Sequence, residues 1–437
     1  MLTLLSYTMI VCFMYLVMSK RLSPLVALIL VPVAFASLGG FATQLGPMMF
    51  DGVKMLAPTG IMLTFAILYF CMMTDAGLFN PLIKLILKCV KGDPLKIVIG
   101  TAVLGICVGL DGDGATTYII TTAALLPLYR RTGMSLQVLA TVLLLTNGVM
   151  NILPWAGPFS RAASAMHVDI TELFIEMLPL MIAGAGWVIF AAFYLGGRER
   201  RRLGVVQLDH DEVMSHFTEF KLTDWRFLFN AVLTITLITM MMLSLMPLPI
   251  LFMLAFGLGV LVNFPRVKDQ KEVIGKYADN VMAVTLLIFA AGIFVGIMSG
   301  TGMIKAISES LIHVIPESAG HFMSVITAFL SMPFTYVLTN DAFYFGILPI
   351  LAETASHYGI GAKEMAIAGL IGQPVHLLSP LVASTYLLCG LLDLDYGDNQ
   401  RASIGWSIGT CLVMFVAAIA IGTIDVWVEP VSAAEWQ

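Results

Sequence analysis

Apolar stretches long enough to cross a lipid bilayer recur along the whole chain. A spanning helix needs about 20 mainly apolar residues. Stretches of roughly that length lie at residues 2–18, 24–41, 59–78, 136–155, 174–196, 226–246, 248–264, 278–298, 363–391 and 402–427. Two longer apolar stretches, near residues 95–130 and 319–351, contain polar residues in their middles. The pattern predicts an all-α polytopic membrane protein.

The charge content excludes several other classes of protein. Only 12% of the 437 residues are charged, whereas a soluble domain carries about 25%, so a soluble enzyme of this size could not cover its surface. The formal net charge is −5 and no basic stripe is present, which excludes a nucleic-acid-binding protein. We therefore expect a lipid bilayer around the chain and no nucleic acid as its partner.

The distribution of Lys and Arg predicts how the chain is threaded, because cytoplasmic loops of membrane proteins carry an excess of these residues. The basic loops are Lys20–Arg21, Lys84–Lys91, Arg130–Arg131, Arg198–Arg202 and Arg266–Lys276. One full span at 95–130 would put two of these loops on opposite sides, whereas a helical hairpin that enters and returns puts all of them in the cytoplasm. The same treatment of 319–351 places both termini outside. We predict about ten transmembrane helices and two re-entrant helical hairpins.

A weak internal repeat supports this topology. Residues 73–77 resemble 298–302, and residues 133–135 resemble 359–361. Asn147 with Pro154 seven residues later resembles Gln373 with Pro380. The separation between positions 147 and 373, called the repeat offset below, recurs in all three matches to within one position.

The repeat predicts how the chain is divided. We predict a first repeat at 1–197, a cytoplasmic linker at 198–225 and a second repeat at 226–437. Five spans per period, an odd number, would make the repeats inverted, as in many secondary transporters.

Four polar clusters interrupt the apolar stretches. Unpaired polar groups in hydrocarbon cost several kcal/mol, and Gly and Pro unwind helices and free backbone carbonyls, so such clusters indicate a binding site near the midplane. The candidate substrate- or ion-binding residues at the hairpin tips are Asp111, Gly112, Asp113, Gly114, Thr116 and Thr117, and Thr339, Asn340 and Asp341. Those at the two helix breaks are Asn147 and Asn151, and Gln373, His376 and Ser379.

Charge suggests a role for some of these residues. The carboxylates of Asp111, Asp113 and Asp341 suit a metal ion or a transported proton. Arg161, which follows the first break, either clamps a carboxylate or anchors a membrane edge. Simple structural roles stay open for other positions, since Asn147 and Gln373 could tie helices together and His376 could be a packing residue.

Longer motifs resemble a known family over essentially the whole chain. The stretches Pro24–Ile29, Ala57–Met62, Lys91–Leu95, Leu110–Gly114, Asn151–Trp155, Thr339–Phe345 and Gly372–Pro380 are similar to those of the citrate–divalent-metal/proton symporters of the ion transporter superfamily. The last two stretches are long and specific, whereas the shorter ones are weak when taken alone.

The resemblance implies a function and an architecture. It implies that citrate is imported as a complex with a divalent metal such as Mg or Ca, coupled to protons, across a bacterial inner membrane. It also implies an elevator-type homodimer without a permanently bound cofactor. Free citrate is close to a trianion at neutral pH, and chelation removes most of that charge. A complex of this kind suits a sequence with three intramembrane aspartates and no cluster of intramembrane Arg or Lys.

Three other functions fit the sequence less well. A sodium-coupled di- or tricarboxylate transporter would share the architecture, but the acids at both hairpin tips count against it. An intramembrane aspartyl protease also needs two membrane aspartates, yet Leu110 stands where its Gly-x-Gly-Asp signature requires glycine. A channel fits paired broken helices less well than alternating access does. We therefore expect a secondary active transporter and not an enzyme.

Overall fold

Prolines, glycines and short polar side chains set where the helices begin and end. Asp93 accepts a hydrogen bond from the backbone N–H of Leu95 and starts a helix whose first residue is Pro94, as expected for an N-cap followed by proline. Gly133 ends the next helix in the left-handed conformation with φ +68, which glycine adopts without a steric penalty. A computed structural model describes residues 2–90, 92–205, 225–243, 245–312 and 317–428, and every regular element there is a helix.

The first half of the chain, as far as it is described, contains nine α-helices. They are α1 (Leu2–Met18), α2 (Pro24–Leu38), α3 (Leu45–Asp75), α4 (Asn80–Val90), α5 (Pro94–Val108), α6 (Gly114–Thr132), α7 (Leu136–Met150), α8 (Gly157–Met166) and α9 (Ile170–Leu203). Helices α5 and α6 pack against each other as a hairpin. The tip of this hairpin contains a short 3₁₀ turn, Gly109–Asp111.

The second half of the chain, as far as it is described, contains twelve α-helices. Its helices are α10 (Trp225–Met242), α11 (Leu248–Asn263), α12 (Val267–Lys276), α13 (Ala278–Gly300), α14 (Met303–Ile312), α15 (Glu317–Gly320), α16 (Met323–Val337), α17 (Leu348–Ser356), α18 (Ala362–Leu370), α19 (Gln373–His376), α20 (Ala383–Leu392) and α21 (Tyr396–Ile421). A π-helical segment, Ala342–Ile347, leads into α17.

The two halves match in register as well as in order. Helices α7, α8 and α9 begin at positions 136, 157 and 170, and α18, α20 and α21 begin at positions 362, 383 and 396, each at the repeat offset. Gly148 lies against Pro374, its own equivalent at that offset, since a Cβ on Gly148 would stand 2.9 Å from the Pro374 Cα. A residue that contacts its own equivalent lies at a two-fold pseudosymmetry axis. The opposite orientation of the halves across a bilayer stays a prediction.

Helices of both halves mix in two packing groups. One group, the scaffold bundle, consists of α1, α2, α3, α10, α11 and α13. Its centre is the crossing of α3 and α13, where a Cβ on Gly52 would collide with the Gly292 carbonyl oxygen. Small residues of this kind let helix backbones approach closely in membranes. The other group, the site bundle, consists of α5–α9 and α16–α21.

Equivalent helices of the site bundle have different surroundings. Helix α8 is buried from Pro158 to Met166 and contacts both α3 and α13 of the scaffold bundle. Its equivalent α20 packs mainly on α6 and α7 and leaves Tyr386 48% exposed. The two halves therefore contribute unequally to the contact between the bundles.

Within the described ranges, several helices are long and apolar enough to cross a membrane. Four qualify by length and composition alone: α3, α5 with its 3₁₀ turn, α9 and α21. A bent pair, Val284–Gly300 with Met303–Ser310, would add a fifth. Shorter apolar helices of 10–17 residues occupy the other predicted spans. The chain is thus an all-α polytopic membrane protein, and the number of about ten spans stays a prediction.

The beginning of the predicted linker is helical. Helix α9 continues through Arg198 to Leu203, and its end is tied to the base of the first hairpin by an ion pair of 3.5 Å between Arg200 and Asp93. Residues 206–224 and the acidic residues Glu429 and Glu435 lie outside the described residues.

Candidate functional site

Asp113 stands at the tip of the first hairpin and caps α6. Its carboxylate accepts hydrogen bonds from the backbone N–H groups of Ala115 at 3.3 Å and Thr116 at 3.1 Å, and from the Thr116 hydroxyl at 2.6 Å. These donors hold the carboxylate in place at the positive end of a helix. Thr116, predicted as a ligand, therefore donates its hydroxyl proton to Asp113 in this structure.

Asp111 has a different environment two residues earlier. It is 5% exposed, and its Oδ1 accepts from the backbone N–H of Asp113 at 2.9 Å and from the Thr117 hydroxyl at 3.4 Å. Its Oδ2 is buried and has no hydrogen-bond partner among the described residues. A buried oxygen without a partner is uncommon in proteins, and at a hairpin tip it makes Asp111 a candidate for binding a proton or a ligand.

An indole ring covers the turn that separates the two aspartates. Gly112 has φ +74, and a Cβ there would stand 3.0 Å from Trp155 Cδ1. The Trp155 Nε1–H donates to the Leu110 carbonyl at 2.8 Å. The indole also stacks on Phe70 of α3 with 5.0 Å between ring centroids. Trp155 thus joins the first hairpin tip and the first helix break to the scaffold bundle.

The first helix break meets the hairpin tip at an amide. Asn147 is 2% exposed and its Nδ2 donates to the Tyr118 hydroxyl at 3.1 Å. Gly114 lies beside it, since a Cβ there would collide with Asn147 Nδ2 and would stand 3.3 Å from Ser384 Oγ. Glycine at position 114 therefore lets the start of α6 approach both α7 and α20.

Gln373 connects the second hairpin with both breaks. Its Nε2 donates to Asn340 Oδ1 at 3.0 Å and to the Tyr344 hydroxyl at 2.6 Å. Its Oε1 accepts from Asn151 Nδ2 at 3.3 Å. Three of the four polar clusters predicted from the sequence are therefore joined through one side chain, at the pseudosymmetry axis.

The two halves make similar hydrogen bonds at equivalent positions. Asn147 bonds to Tyr118 and Gln373 bonds to Tyr344, and both members of the pair are shifted by the repeat offset. The hydroxyl of Thr339 accepts the backbone N–H of Ala342 at 3.2 Å. Asp113, its equivalent in the first half, accepts backbone N–H groups of its own helix in the same way.

Two other predicted ligands, His376 and Ser379, hydrogen-bond to backbone groups. His376 Nδ1 lies 2.5 Å from the Thr335 carbonyl oxygen, and because a carbonyl only accepts, Nδ1 carries a proton and Nε2 remains for another partner. Ser379 Oγ accepts the backbone N–H of Leu381 at 3.2 Å, which leaves its hydroxyl proton free to donate. Both side chains are buried.

A buried ion pair joins the end of the first break to the second hairpin. Arg161 Nε lies 2.6 Å from Asp341 Oδ1, and the side chains are 11% and 9% exposed. Burial inside the site bundle rules out the role of a membrane-edge anchor for Arg161. The pair gives Asp341, in the second hairpin tip, its charge partner.

The three aspartates do not form a metal cage. No group of three or more His, Cys, Asp or Glu side chains in the described ranges is placed to hold a metal ion. Asp111 and Asp113 share the first tip, whereas Asp341 faces Arg161 at the second. A transported metal would have to bring most of its ligands with it.

Comparison with known sequences shows the family of the chain. Residues 13–372 match the citrate transporter family, CitMHS. The chain belongs to this family. It is therefore a multi-pass membrane transporter and not an enzyme.

Two relatives of this CitMHS protein are named as citrate transporters. A citrate transporter of Bacillus subtilis (strain 168) is 53% identical over 97% of this chain and 100% of its own length. A Mg(2+)/citrate complex secondary transporter of the same strain is 44% identical over 98% of this chain and 100% of its own length. The crystal structure of the Alcanivorax borkumensis YdaH transporter has a TM-score of 0.60 at 13% identity and covers 87% of this chain and 88% of that chain, which shows a shared fold.

The sequence analysis did not select several residues that the structure brings into the candidate site. Tyr118 and Tyr344 bind the amides of the two breaks, Trp155 covers the first tip, and Ser384 lies beside Gly114. The tyrosines stand at the repeat offset from each other, so a residue-by-residue comparison of the halves could have found them. Ser384 has no such signal, because its proximity to Gly114 depends on how α20 packs on α6.

Proposed function

We propose that this CitMHS protein is a secondary active transporter that imports citrate as a complex with a divalent metal ion, coupled to protons, across the bacterial inner membrane. One observation carries the proposal: Arg161, the arginine that lies next to the polar clusters, is neutralised by Asp341 at 2.6 Å. Asp111 and Asp113 add acidic groups at the other tip. Such a site offers no unpaired positive charge in the part of the chain that the structure describes.

This charge balance favours a chelated substrate over free citrate. Burying a multiply charged anion without compensating charge is costly. Chelation by Mg, Ca or a similar ion removes most of the charge of citrate, and the remaining carboxylate and hydroxyl groups can hydrogen-bond to neutral side chains. The name of the 44% identical Mg(2+)/citrate relative supports the same substrate class. The metal is thus part of the cargo.

Neutral polar side chains at the tips and breaks would bind the complex. They offer both donors and acceptors within one connected network, in which Gln373 bonds to Asn151, Asn340 and Tyr344. The proposed ligands are Gly112, Gly114, Thr116, Thr117, Asn147, Asn151, Thr339, Asn340, Gln373, His376 and Ser379, with Asp113 facing the substrate.

Asp111 is the carboxyl group best suited to carry the proton. An ionised carboxylate there would keep its Oδ2 buried without a partner, whereas the protonated form removes the charge. Asp113 differs because donors occupy both of its oxygens, and Asp341 differs because a cation lies beside it. Proton binding at Asp111 would therefore be sensitive to whether the first tip is closed.

Movement of the site bundle along the scaffold bundle would carry the substrate across the membrane. The two bundles are internally well packed, and their contacts lie mainly at the hairpin tips, at α8 and through α14, which packs on α1 as well as on α17. This division suits an elevator-type transporter, and the scaffold bundle would provide the contacts of a homodimer.

Uptake of labelled citrate into proteoliposomes tests the function. We expect uptake to require a divalent metal, to be stimulated by an inward proton gradient, and to continue when sodium is replaced by choline. Uptake that needs sodium would favour the sodium-coupled carrier instead. Uptake without any response to metal or proton gradient would rule out the proposal.

A further inference from the structure

The Arg161 guanidinium keeps most of its hydrogen-bonding capacity unused. A guanidinium has five N–H donors, and the Nε–H bonds to Asp341 Oδ1. Arg161 has no other acceptor among the described residues. Its Nη1 lies over Gly157, where a Cβ would stand 2.5 Å away. A side chain only 11% exposed therefore presents Nη donors that the protein itself does not use.

The ion pair is not imposed by the repeated architecture. At the repeat offset, the equivalents of Asp341 and Arg161 are Ala115 and Leu387. The equivalent positions in the two halves therefore hold an ion pair in one case and apolar side chains in the other. Since a buried ion pair often stabilises a protein less than apolar residues of similar size, packing alone does not explain the charges.

The pair is connected to the polar clusters of the site. Asp341 follows Asn340, which accepts from Gln373, and Gln373 in turn accepts from Asn151 at the first break. Arg161 lies on α8, the helix that continues from that break. Its free Nη groups form a planar pair of donors, the arrangement that binds a carboxylate with two parallel hydrogen bonds.

We propose that Arg161 clamps a carboxylate of the substrate while Asp341 stays in place as its counter-charge and sets the charge of the anion that the site accepts. This inference rests on the proposed function. With Asp341 present, the clamp supplies hydrogen bonds but no net positive charge, so a weakly charged metal–citrate complex is accepted. Without the Asp341 charge, the same clamp would compensate one more negative charge and accept free citrate.

The ratio of citrate uptake with Mg²⁺ to uptake with EDTA tests this inference. We expect a high ratio for the wild type and a ratio lower by about tenfold or more for Asp341→Asn, since one unit of nearby charge has a large effect in a dry site. Asn keeps an oxygen for Arg161 Nε. The double variant Arg161→Gln/Asp341→Asn, which has no net charge at the pair, should recover the high ratio at a lower rate.

Controls separate this inference from the proposed function. Asp169→Asn removes an exposed carboxylate that caps α9, and Asn caps equally well, so its ratio should equal that of the wild type. For a variant that binds citrate without transporting it, the ratio is measured instead from thermal stabilisation by citrate in Mg²⁺ and in EDTA. A metal-dependent wild type with an unchanged ratio in Asp341→Asn overturns only the inference. A wild type without metal dependence overturns the proposed function and this inference together.

Discussion

The Gln373 side chain donates a 2.6 Å hydrogen bond to the Tyr344 hydroxyl, and both residues are fully buried. Removing the hydroxyl in Tyr344→Phe would leave a buried amide N–H without an acceptor, which costs about 1–3 kcal/mol. We expect a loss of stability of this size, measured by thermal unfolding in detergent. Tyr336→Phe is a matched control, because its partner Gln400 also uses Nε2 for two acceptors but is only half-buried, so water can replace the lost hydroxyl. Equal losses in the two variants would contradict this account.

Gly148 tests the close contact at the pseudosymmetry axis. A Cβ there would stand 2.9 Å from the backbone of Pro374, and overpacking of this kind costs about 1–3 kcal/mol. We expect Gly148→Ala to lower both thermal stability and citrate uptake. Gly186→Ala, on α9, has nothing within 4 Å of its new methyl group and should be neutral or stabilising by up to about 1 kcal/mol. If Gly148→Ala is as stable and active as Gly186→Ala, the prediction is wrong, and the close contact between Gly148 and Pro374 is not needed for stability or uptake.

A disulfide across the two bundles tests whether they move. Thr59 on α3 and Ser164 on α8 have hydroxyl oxygens 3.3 Å apart. In a background without the six native cysteines, we expect the oxidised pair Thr59→Cys/Ser164→Cys to stop citrate uptake and a reductant to restore it.

The matched control for that cross-link lies inside the site bundle. Thr141 on α7 and Ser403 on α21 have hydroxyl oxygens 2.9 Å apart. A disulfide between cysteines at these positions should leave uptake intact, because both helices would move together. Full uptake by the oxidised Thr59→Cys/Ser164→Cys protein would exclude relative movement of the bundles.

Asp111→Asn should separate transport from proton coupling. Asn keeps an oxygen for the Asp113 N–H and the Thr117 hydroxyl but cannot bind and release the proton. We expect exchange of external labelled citrate for internal citrate to persist, while accumulation driven by a proton gradient falls at least about tenfold. Asp395→Asn, which preserves the cap of α21, should accumulate citrate normally. Gradient-driven accumulation by Asp111→Asn at the wild-type rate would remove this residue from the coupling mechanism.

Local features of the sequence were enough to locate the polar clusters. Glycine, proline and polar residues interrupt apolar helices through short-range effects on the backbone. The structure accordingly has a turn at Gly112 and helix ends at Met150 and Leu370, next to the predicted breaks. The repeat offset was also visible, because equivalent helices begin at equivalent positions of the two halves. Family membership followed from longer motifs.

The partners inside the site could not be predicted in the same way. The Arg161–Asp341 pair joins residues 180 positions apart, and nothing in either neighbourhood indicates the other. Asp113 is a second example. The sequence identifies it as a candidate ligand, but it does not show that three donors from its own helix already occupy the carboxylate. Sequence patterns identify which residues are polar and where the chain breaks, whereas the packing of distant helices decides which polar groups remain free.

The unequal burial of α8 and α20 has a consequence for the whole molecule. Helix α8 is enclosed by scaffold and hairpin, whereas α20, built to the same plan, is partly uncovered. The two helices begin one repeat offset apart and have different sequences as well as different surroundings. In the proposed alternating-access cycle, the opposite state would be one in which α20 is enclosed by the scaffold bundle and α8 is uncovered.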